Sequence, residues 1–574
     1  MFGFVFGWNC ASYKSVELQD AKEYRGDDFF CKYKMMNKFE NDRLIFDSEN
    51  IFCIMDGVIF NKCELMKKNG NKTWKDTFID FINMKDNECF TMLRGSFCGV
   101  IYRKKEHRIT VFTNLLGEKA VYYYNQDYKL IVTSHMILMK EAFEKYSFKM
   151  QPNIQGCYEM LTTGTFLHGN TFLKDVRRLM GGKLLIVQNG LASEQRYHMF
   201  RNVPEWNLSL KECIDEADSL FRQAVKRICD KNREYGYDIE ADLSGGLDSR
   251  LATWVAHDFW NKNRRFINAC WCQRGKIDHI SSKQIAKKLG NDYIFYAMDG
   301  GDFLKEVDKR VKITGGQIVY IANTCSDKVL NSLDLSNIGM SLTGLLGESH
   351  NAYWTEGIVH TEPKYFESRY TDLVGLNLPD SYAKEYDNYE QMNLYELSSL
   401  NFLSSVFTRQ DSVEVCSPYI DKDFLEFVYK IPLQWRKNYY FTMNWMVEKY
   451  PDAAKFVWQH AMKPVDKELN NRLYLPKILW DAEKTGIRIY NKICREFHIQ
   501  SQAVFRNDMN PIDKWYITNR SIRKYFVQYY RDNRHYVRNK KLYEDLKLMM
   551  KSGKGYDAML VVNLLAIFKL YSGN

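Results

Sequence analysis

The sequence predicts a two-part protein, in which an α+β region of antiparallel sheets precedes an α/β region built on a parallel sheet. The chain has 574 residues, more than one ordinary hydrophobic core accommodates. Short alternating or apolar runs fill roughly the first 200 residues, and from about residue 208 strand-like and helix-like runs alternate. A glycine-rich loop at 244–249 lies between a strand pattern and a helix pattern.

The first region reads as a set of short strands. Turn-like residues separate its apolar or alternating runs, which are 2–6, 51–55, 99–102, 110–113, 129–132 and 183–187. This spacing is typical of antiparallel sheets. We therefore expect a first domain over residues 1–200.

The second region alternates strands with helices. Helical spacing is found at 208–229, 250–260 and 281–289, and strand patterns at 237–243, 265–271 and 292–297. Such alternation predicts a parallel sheet with right-handed crossovers. From about residue 385 the pattern is mostly helical, and 559–570 predicts a buried C-terminal helix. We expect a second domain over 208–574 with a helical extension.

Composition excludes several classes of protein. Hydrophobic residues make up 45% and charged residues 26%, as in globular proteins, and the 14 cysteines are dispersed without zinc-finger spacing. Residues 1–8 are too short for a signal peptide, and no run reaches the ~18 apolar residues of a membrane span. A cytoplasmic protein with reduced thiols, not inserted in a membrane, is expected. The basic stretch 520–553 reads as a solvated helix face, because no nucleic-acid-binding module accompanies it.

The loop carries the chemistry, and it consists of Ser244, Gly245, Gly246, Leu247, Asp248 and Ser249. Its glycines let backbone N–H groups approach an anion, and the helix that follows adds its positive end. Asp248 offers a carboxylate to Mg²⁺, which prefers one or two carboxylates together with phosphate oxygens. The simpler alternative is a serine-capped glycine turn, but a chance match in a chain this long is on the order of one in a thousand.

The loop resembles the PP-loop of ATP pyrophosphatases, and the order of further motifs resembles the asparagine synthetase family. The similar segments are DGVIFN at 56–61, LRGSF at 93–97, LGEK at 116–119, LTGLLGE at 342–348 and EVCSPYID at 414–421. The resemblance implies an N-terminal Ntn-hydrolase-like domain of two stacked antiparallel sheets with helices outside. It also implies a C-terminal PP-loop synthetase domain that uses ATP and Mg²⁺.

The resemblance also implies roles for individual residues. Glu348 aligns with the second metal-binding acid and would hold Mg²⁺ with Asp248. Thr343 and Gly344 would flank the α-phosphate or ribose. Lys463 matches a late lysine that stabilises charge in both half-reactions, and an ordinary surface lysine is an equal alternative. Leu243 and Trp271 end adjacent predicted strands and would meet adenine, or both are core residues.

The sequence departs from the family at four positions. Glutamine-using members begin Met-Cys-Gly, whereas Phe2 precedes Gly3 here and offers no nucleophile. Asp56 replaces an asparagine that stabilises the oxyanion of glutamine hydrolysis, and a carboxylate there would repel that charge. Leu345 replaces an acid or tyrosine that assists the amine, and Cys416 replaces an arginine. We therefore expect that glutaminase activity is absent and that the ATP site is retained.

Four functional hypotheses follow. The first is an ATP-dependent amide ligase that adenylates a small-molecule or peptide carboxylate, after which an amine or ammonia displaces AMP. The second is asparagine synthesis from free ammonia, against which Leu345 argues. The third is a non-catalytic nucleotide-binding descendant, and the fourth is tRNA modification, which the N-terminal domain disfavours. Neither the substrates nor the oligomeric state follow from the sequence, and a homodimer remains open.

Overall fold

The structure is a computed structural model of the chain. It describes residues 1–71, 73–84, 88–203, 207–260, 263–323, 326–351, 371, 373–374, 384–474, 489, 493 and 510–572. Statements about the fold refer to these residues.

Two six-stranded antiparallel sheets form the N-terminal part. The first has the strand order β10-β8-β9-β1-β3-β2 and the second β12-β11-β7-β6-β5-β4. The strands are β1 Gly3–Trp8, β2 Lys22–Arg25, β3 Phe29–Lys34, β4 Leu44–Asp47, β5 Ile51–Ile59, β6 Gly95–Arg103, β7 Arg108–Thr113, β8 Tyr122–Gln126, β9 Lys129–Thr133, β10 Arg177–Arg178, β11 Lys183–Gln188 and β12 Leu191–Arg196.

The two sheets stack face to face because alternate residues of their strands are apolar. Phe6 from the first sheet and Phe52 from the second meet in this core, with ring centroids 5.9 Å apart. Helices cover the outer faces, and they are α1 Lys62–Asn69, α2 Trp74–Asn83, α3 Glu88–Met92, α4 Met136–Lys145 and α5 Ile154–Thr163. The predicted antiparallel β-sandwich with helices outside is confirmed.

The second part contains a five-stranded sheet in the order β15-β14-β13-β16-β17. Its strands, β13 Asp238–Asp242, β14 Phe266–Cys272, β15 Asp292–Ala297, β16 Ile338–Leu342 and β17 Glu414–Cys416, all pair in parallel. Helix α6 Leu210–Glu234 precedes the sheet, and the helices between its strands are α7 Asp248–Phe259, α8 Ile277–Leu289, α9 Val307–Thr314, α10 Ser326–Leu330, α11 Tyr389–Asn393 and α12 Ser399–Arg409. The predicted parallel α/β sheet is confirmed, and α7 begins at Asp248, two residues earlier than the sequence pattern indicates.

A helical extension follows the sheet, with one short hairpin. Its helices are α13 Lys422–Val428, α14 Leu433–Arg436, α15 Tyr440–Lys449, α16 Pro451–Ala454, α17 Val465–Tyr474, α18 Ile512–Thr518, α19 Arg520–Asn533, α20 Lys540–Lys551 and α21 Gly555–Tyr571. The hairpin pairs β18 Val457–Trp458 with β19 Lys463–Pro464. Helix α21 is buried along most of its length, as predicted. No helix in the described ranges is both long enough and apolar enough to cross a membrane.

Asp42 joins the two parts of the chain through buried charges. Its side chain is fully buried, and its carboxylate lies 2.6 Å from Lys62 Nζ and 3.1 Å from Lys231 Nζ. The Tyr235 hydroxyl donates to the same carboxylate at 2.7 Å. Lys231 lies in α6 and Tyr235 follows that helix, whereas Asp42 and Lys62 belong to the N-terminal part. The Asp42 carboxylate therefore holds the two parts against each other.

Replacing Asp42 with Asn should lower the free energy of unfolding by about 3 kcal/mol, because the two buried ammonium groups then share only the partly exposed Glu234 as a counter-charge. Urea unfolding followed by circular dichroism measures this change. The matched control is Asp47→Asn, which breaks the half-exposed pair of Asp47 with Lys104 and should cost about 1 kcal/mol or less. Equal losses for the two variants would contradict the role of Asp42.

Candidate functional site

The carboxyl ends of the parallel strands bring three distant segments to one edge of the sheet. Residues 243–249 follow β13, residue 273 onwards follows β14, and 343–348 follow β16. Strand β13 lies between β14 and β16, so the loop after it faces segments from both neighbours. Ligands of open α/β sheets bind at this edge.

The loop folds back on its own serines. Ser244 N donates to Ser249 Oγ at 3.1 Å, the two hydroxyls lie 3.0 Å apart, and Gly246 N donates to Ser244 Oγ at 3.1 Å. Gly245 N donates to Asp278 Oδ1 at 3.0 Å. No described side chain caps the N-terminus of α7, which leaves this helix end open to an anion.

Glycine allows the turn after β16 to touch the start of α7. A Cβ atom on Gly344 would lie 2.4 Å from Ser249 N, and one on Gly347 would lie 2.5 Å from Asp248 Cγ. Neither position accepts a side chain without displacing backbone or the Asp248 carboxylate. The structure therefore brings the predicted residues Gly344, Glu348, Asp248 and Ser249 together.

Asp248 and Glu348 form an electrostatically strained pair. Burial, together with the negative charge of Glu348, raises the pKa of Asp248 to about 8. A divalent cation would relieve both effects, because it stabilises the charged form of each carboxylate. No cluster of three or more metal-ligating side chains occurs among the described residues, so phosphate oxygens and water would have to complete a Mg²⁺ shell.

Further residues surround Asp248, and of these Tyr419 belongs to the sequence motif at 414–421 whereas Asn351, Thr442 and His350 lie outside the motifs. Asn351 Nδ2 donates to Asp248 Oδ1 at 3.3 Å, and Thr442 Oγ1 donates to Asn351 Oδ1. The Tyr419 hydroxyl donates to Asp248 O at 3.0 Å. His350 is fully buried against Tyr419, and burial lowers its pKa to about 3, which keeps the imidazole neutral. Asn351 thus orients the Asp248 carboxylate, and Tyr419 fixes the backbone that carries it.

Of three further predicted binding residues, Thr343 and Leu243 have buried side chains and Trp271 has a partly buried one. Thr343 is buried, and its Oγ1 donates to Cys416 O at 3.3 Å and accepts from Leu345 N at 3.4 Å. Leu243 packs in a small core with Ile285. Trp271 is partly buried and lies 5.6 Å from the Arg409 guanidinium. Thr343 and Leu243 would therefore reach a ligand only through backbone atoms.

Lys463 lies on the β18–β19 hairpin, beyond the loop. Gln459 N, at the end of β18, donates to Gly245 O at 3.1 Å, so the hairpin touches the loop directly. Lys463 Nζ lies 3.5 Å from Glu468 Oε2, and its side chain is about one third exposed, at 31%. The structure thus places this lysine on a segment that contacts the loop.

Four charged side chains gather beside the start of β1. Arg43 lies 2.7 Å from Asp56 and 2.5 Å from Glu414, and Lys119 lies 3.5 Å from Asp56 and 2.9 Å from Glu414. They line a small cavity together with Phe2, Gly3 and Cys98. From the sequence alone a bare, repelling carboxylate is expected at position 56. Instead, although burial opposes it, Lys119 and Arg43 hold the pKa of Asp56 low and balance its charge.

Replacing Asp248 with Asn should raise the melting temperature of the ligand-free protein. The wild-type carboxyl group has a folded pKa of about 8 against 3.8 in the unfolded chain. The folded state therefore binds the extra proton, and wild-type stability falls as pH rises towards 8. At about 1.4 kcal/mol per pH unit, the gain should be about 3 kcal/mol at pH 6, increase to pH 8 and then level off. Thermal unfolding across pH, with and without Mg²⁺ and ATP, measures it.

The same variant should gain no stability from added Mg²⁺ and ATP, whereas the wild type should. Asp258→Asn, on the exposed side of α7, is the matched control and should behave as the wild type in both respects. A variant that ligand still stabilises would contradict the assignment of Asp248.

Comparison with known proteins adds one clear similarity. Residues 41–198 match a family model described as a glutamine amidotransferase domain. No curated protein sequence matches the chain.

Solved structures share only weak likeness with this fold. A glutamine phosphoribosylpyrophosphate amidotransferase from B. subtilis is 9% identical, with 48% of this chain and 78% of that chain covered and a TM-score of 0.23. A glutamine-dependent NAD⁺ synthetase from Acinetobacter baumannii is 12% identical over 57% and 70%, with a TM-score of 0.20. A U34-tRNA thiolase from Methanococcus maripaludis is 13% identical over 45% and 80%, with a TM-score of 0.21.

The family match covers β4 to β12 of the antiparallel sheets. The N-terminal part of this chain is therefore similar to the glutamine amidotransferase domains.

Proposed function

We propose that this protein is an ATP-dependent, amide-forming ligase of the asparagine synthetase type, acting in the cytoplasm. The observation that carries the proposal is the uncapped N-terminus of α7, with Asp248 and Glu348 beside it at the carboxyl edge of a parallel sheet. An open helix end attracts phosphate, and paired carboxylates attract the cation that accompanies it.

ATP would bind with its phosphates on the loop from Ser244 to Ser249. The backbone N–H groups at the start of α7 would contact the phosphate oxygens, and Gly344 would flank the α-phosphate or ribose. Backbone atoms near Leu243 and Thr343, and the Trp271 side chain, would border the nucleoside. Mg²⁺, held by Asp248 and Glu348, would supply charge neutralisation for the pyrophosphate.

The reaction would take place in two displacements. A substrate carboxylate oxygen attacks the α-phosphorus of ATP, the bond to the β-phosphate oxygen breaks, and pyrophosphate leaves. The nitrogen of an amine or of ammonia then attacks the acyl carbon and loses a proton, and AMP leaves with the bonding electrons. Lys463, on the hairpin that contacts Gly245, would balance negative charge in both steps.

The nitrogen donor would be free ammonia or an amine, not glutamine. In the cavity beside β1, Arg43 pairs with Asp56 and Lys119 pairs with Glu414. The two cations, which could otherwise stabilise the oxyanion of glutamine hydrolysis, are therefore already neutralised by carboxylates. Cys98 supplies a thiol there, but burial, and then Asp56, raise its pKa well above the usual value. A thiol held protonated in this way is a poor nucleophile.

Pyrophosphate exchange tests the adenylation step. Purified protein with ATP, Mg²⁺ and panels of amino acids, peptides and sugar acids should exchange labelled pyrophosphate into ATP. Asp248→Ala should reduce exchange by about 1,000-fold, because the variant loses both a metal ligand and charge neutralisation. Asp258→Ala, which changes an exposed carboxylate on the same helix, should exchange as the wild type.

ATP binding without exchange for any carboxylate would contradict the proposal and support a nucleotide-binding protein without ligase activity. Exchange that survives Asp248→Ala would show that the loop is not the site.

The nitrogen donor is tested with the carboxylate that supports exchange. Amide product should form with ammonium or with an added amine, and glutamine alone should yield no product and no glutamate. Cys98→Ala should leave the rate unchanged, because the buried thiol takes no part. Glutamate release that is lost in Cys98→Ala would contradict this assignment.

A further inference from the structure

Arg250, the third residue of α7, is a buried cation bonded only to backbone carbonyls. Its Nη1 donates to Ala453 O at 3.2 Å and to Phe456 O at 3.0 Å. Its Nη2 donates to Gly245 O at 3.2 Å and to Val457 O at 2.8 Å. Nε has no partner among the described residues. One guanidinium therefore joins the glycine loop to the segment that leads into β18.

The other fully buried arginines of the described chain have a carboxylate partner. Arg310 lies 3.1 Å from Glu306, Arg409 lies 2.8 Å from Asp242, and Arg436 lies 2.6 Å from Glu390. Arg250 makes no ion pair with a described residue, and burial lowers its pKa to about 9, which still leaves it charged at neutral pH. Buried charges are normally paired, because desolvation is costly.

The position of Arg250 makes this charge more unfavourable in the empty protein. It lies in the first turn of α7, where the helix dipole already presents positive charge. The carbonyl contacts satisfy hydrogen bonds but supply no net negative charge. An anion bound in the loop would lower the electrostatic energy of both the positive helix end and the unbalanced Arg250 charge.

We infer that Arg250 is a positioning residue whose charge is balanced by the polyphosphate of the bound nucleotide, and whose carbonyl contacts couple filling of the loop to placement of the Lys463 hairpin. The inference deepens the proposed function and rests on it for the identity of the anion. It assigns a role to a residue just outside the loop motif.

The connection from Arg250 to Lys463 is short. Val457 opens β18, and its carbonyl accepts from both Arg250 and Ser281 Oγ, the latter at 2.7 Å. Trp458 pairs with Lys463 across the hairpin, and Gln459 N donates to Gly245 O. A shift of Arg250 towards bound phosphate would therefore act on both the loop and the strand that holds Lys463.

The test compares the wild type with Arg250→Met and Arg250→Lys. Calorimetry measures the affinity for ATP and for inorganic pyrophosphate with Mg²⁺, and hydrogen exchange measures protection of residues 457–464. Arg250→Met should weaken pyrophosphate binding by roughly tenfold to a hundredfold, because a buried charge close to the ligand is lost. Arg250→Lys keeps the charge and should bind pyrophosphate within about threefold of the wild type.

Hydrogen-exchange protection of the hairpin distinguishes the two roles of Arg250, which are to balance the polyphosphate charge and to couple the loop to the Lys463 hairpin. Ligand should protect the hairpin in the wild type, and this protection should be lost in both variants, because an ammonium cannot bridge four carbonyls. In exchange assays Arg250→Lys should therefore lower kcat more than it raises KM for ATP.

Arg310→Met is the matched control, since it removes another buried arginine, one that has the carboxylate partners Glu306, just before α9, and Asp327 in α10. It should lower the melting temperature and leave pyrophosphate affinity unchanged. Wild-type pyrophosphate affinity in Arg250→Met, or reduced affinity in Arg310→Met of equal size, would overturn the inference. If Arg250→Met does not fold, loss of ligand-induced hairpin protection in Arg250→Lys decides the coupling.

The proposed function can fail separately. A wild type that binds pyrophosphate through Arg250 but exchanges none into ATP would retain the inference and reject the ligase. A wild type that binds neither ATP nor pyrophosphate would reject both.

Discussion

Parallel pairing of β13 between β14 and β16 is the constraint on which the site depends. Asp242 lies opposite Ala269, and Ala241 lies opposite Leu342, so the chain leaves all three strands at the same edge. This register brings the turn at 343–348 onto the first turn of α7. A slip of one residue would turn every side chain of β13 to the other face and separate Asp248 from Glu348. The glycines at 344 and 347 are then required, because a side chain would meet the Ser249 backbone at the first position and the Asp248 side chain at the second.

Buried charges are distributed in two ways in this protein. Those between the two parts of the chain are paired: Asp42 with two lysines, and Asp56 and Glu414 with Arg43 and Lys119. At the sheet edge Asp242 is paired with Arg409, but two charged sites are not balanced, because Asp248 faces Glu348 and Arg250 has carbonyl partners only. Paired charges hold parts together, whereas unbalanced charges are relieved by ligands. Because its charges are paired, we interpret the cavity beside β1 as a structural junction. Because its charges are unbalanced, we interpret the edge of the parallel sheet as a binding site.

Much of the fold follows from local pattern. Alternation of apolar residues predicted the antiparallel strands, and the strand, glycine loop and helix at 237–260 appear as β13, the loop and α7. The motif order also predicted that Thr343, Gly344 and Glu348 approach Asp248. Helix starts were less accurate, because α7 begins with Asp248 and lacks a side-chain cap that would mark its start in the sequence. Such a signal is missing where a ligand is expected to take the place of the cap.

The sequence by itself determined the two-part α/β architecture and the residues of the loop, since both depend on periodicity and on contacts between near neighbours. Only the tertiary structure decided which partners those residues have. Asn351 beside Asp248, Gln459 on Gly245, and Val457 on Arg250 are contacts over more than 100 positions of the chain. An arginine in a helical pattern reads as a surface residue. It becomes a buried, unbalanced charge only when residues 453–457 fold over it and exclude water, and burial is a property of packing that local pattern does not contain.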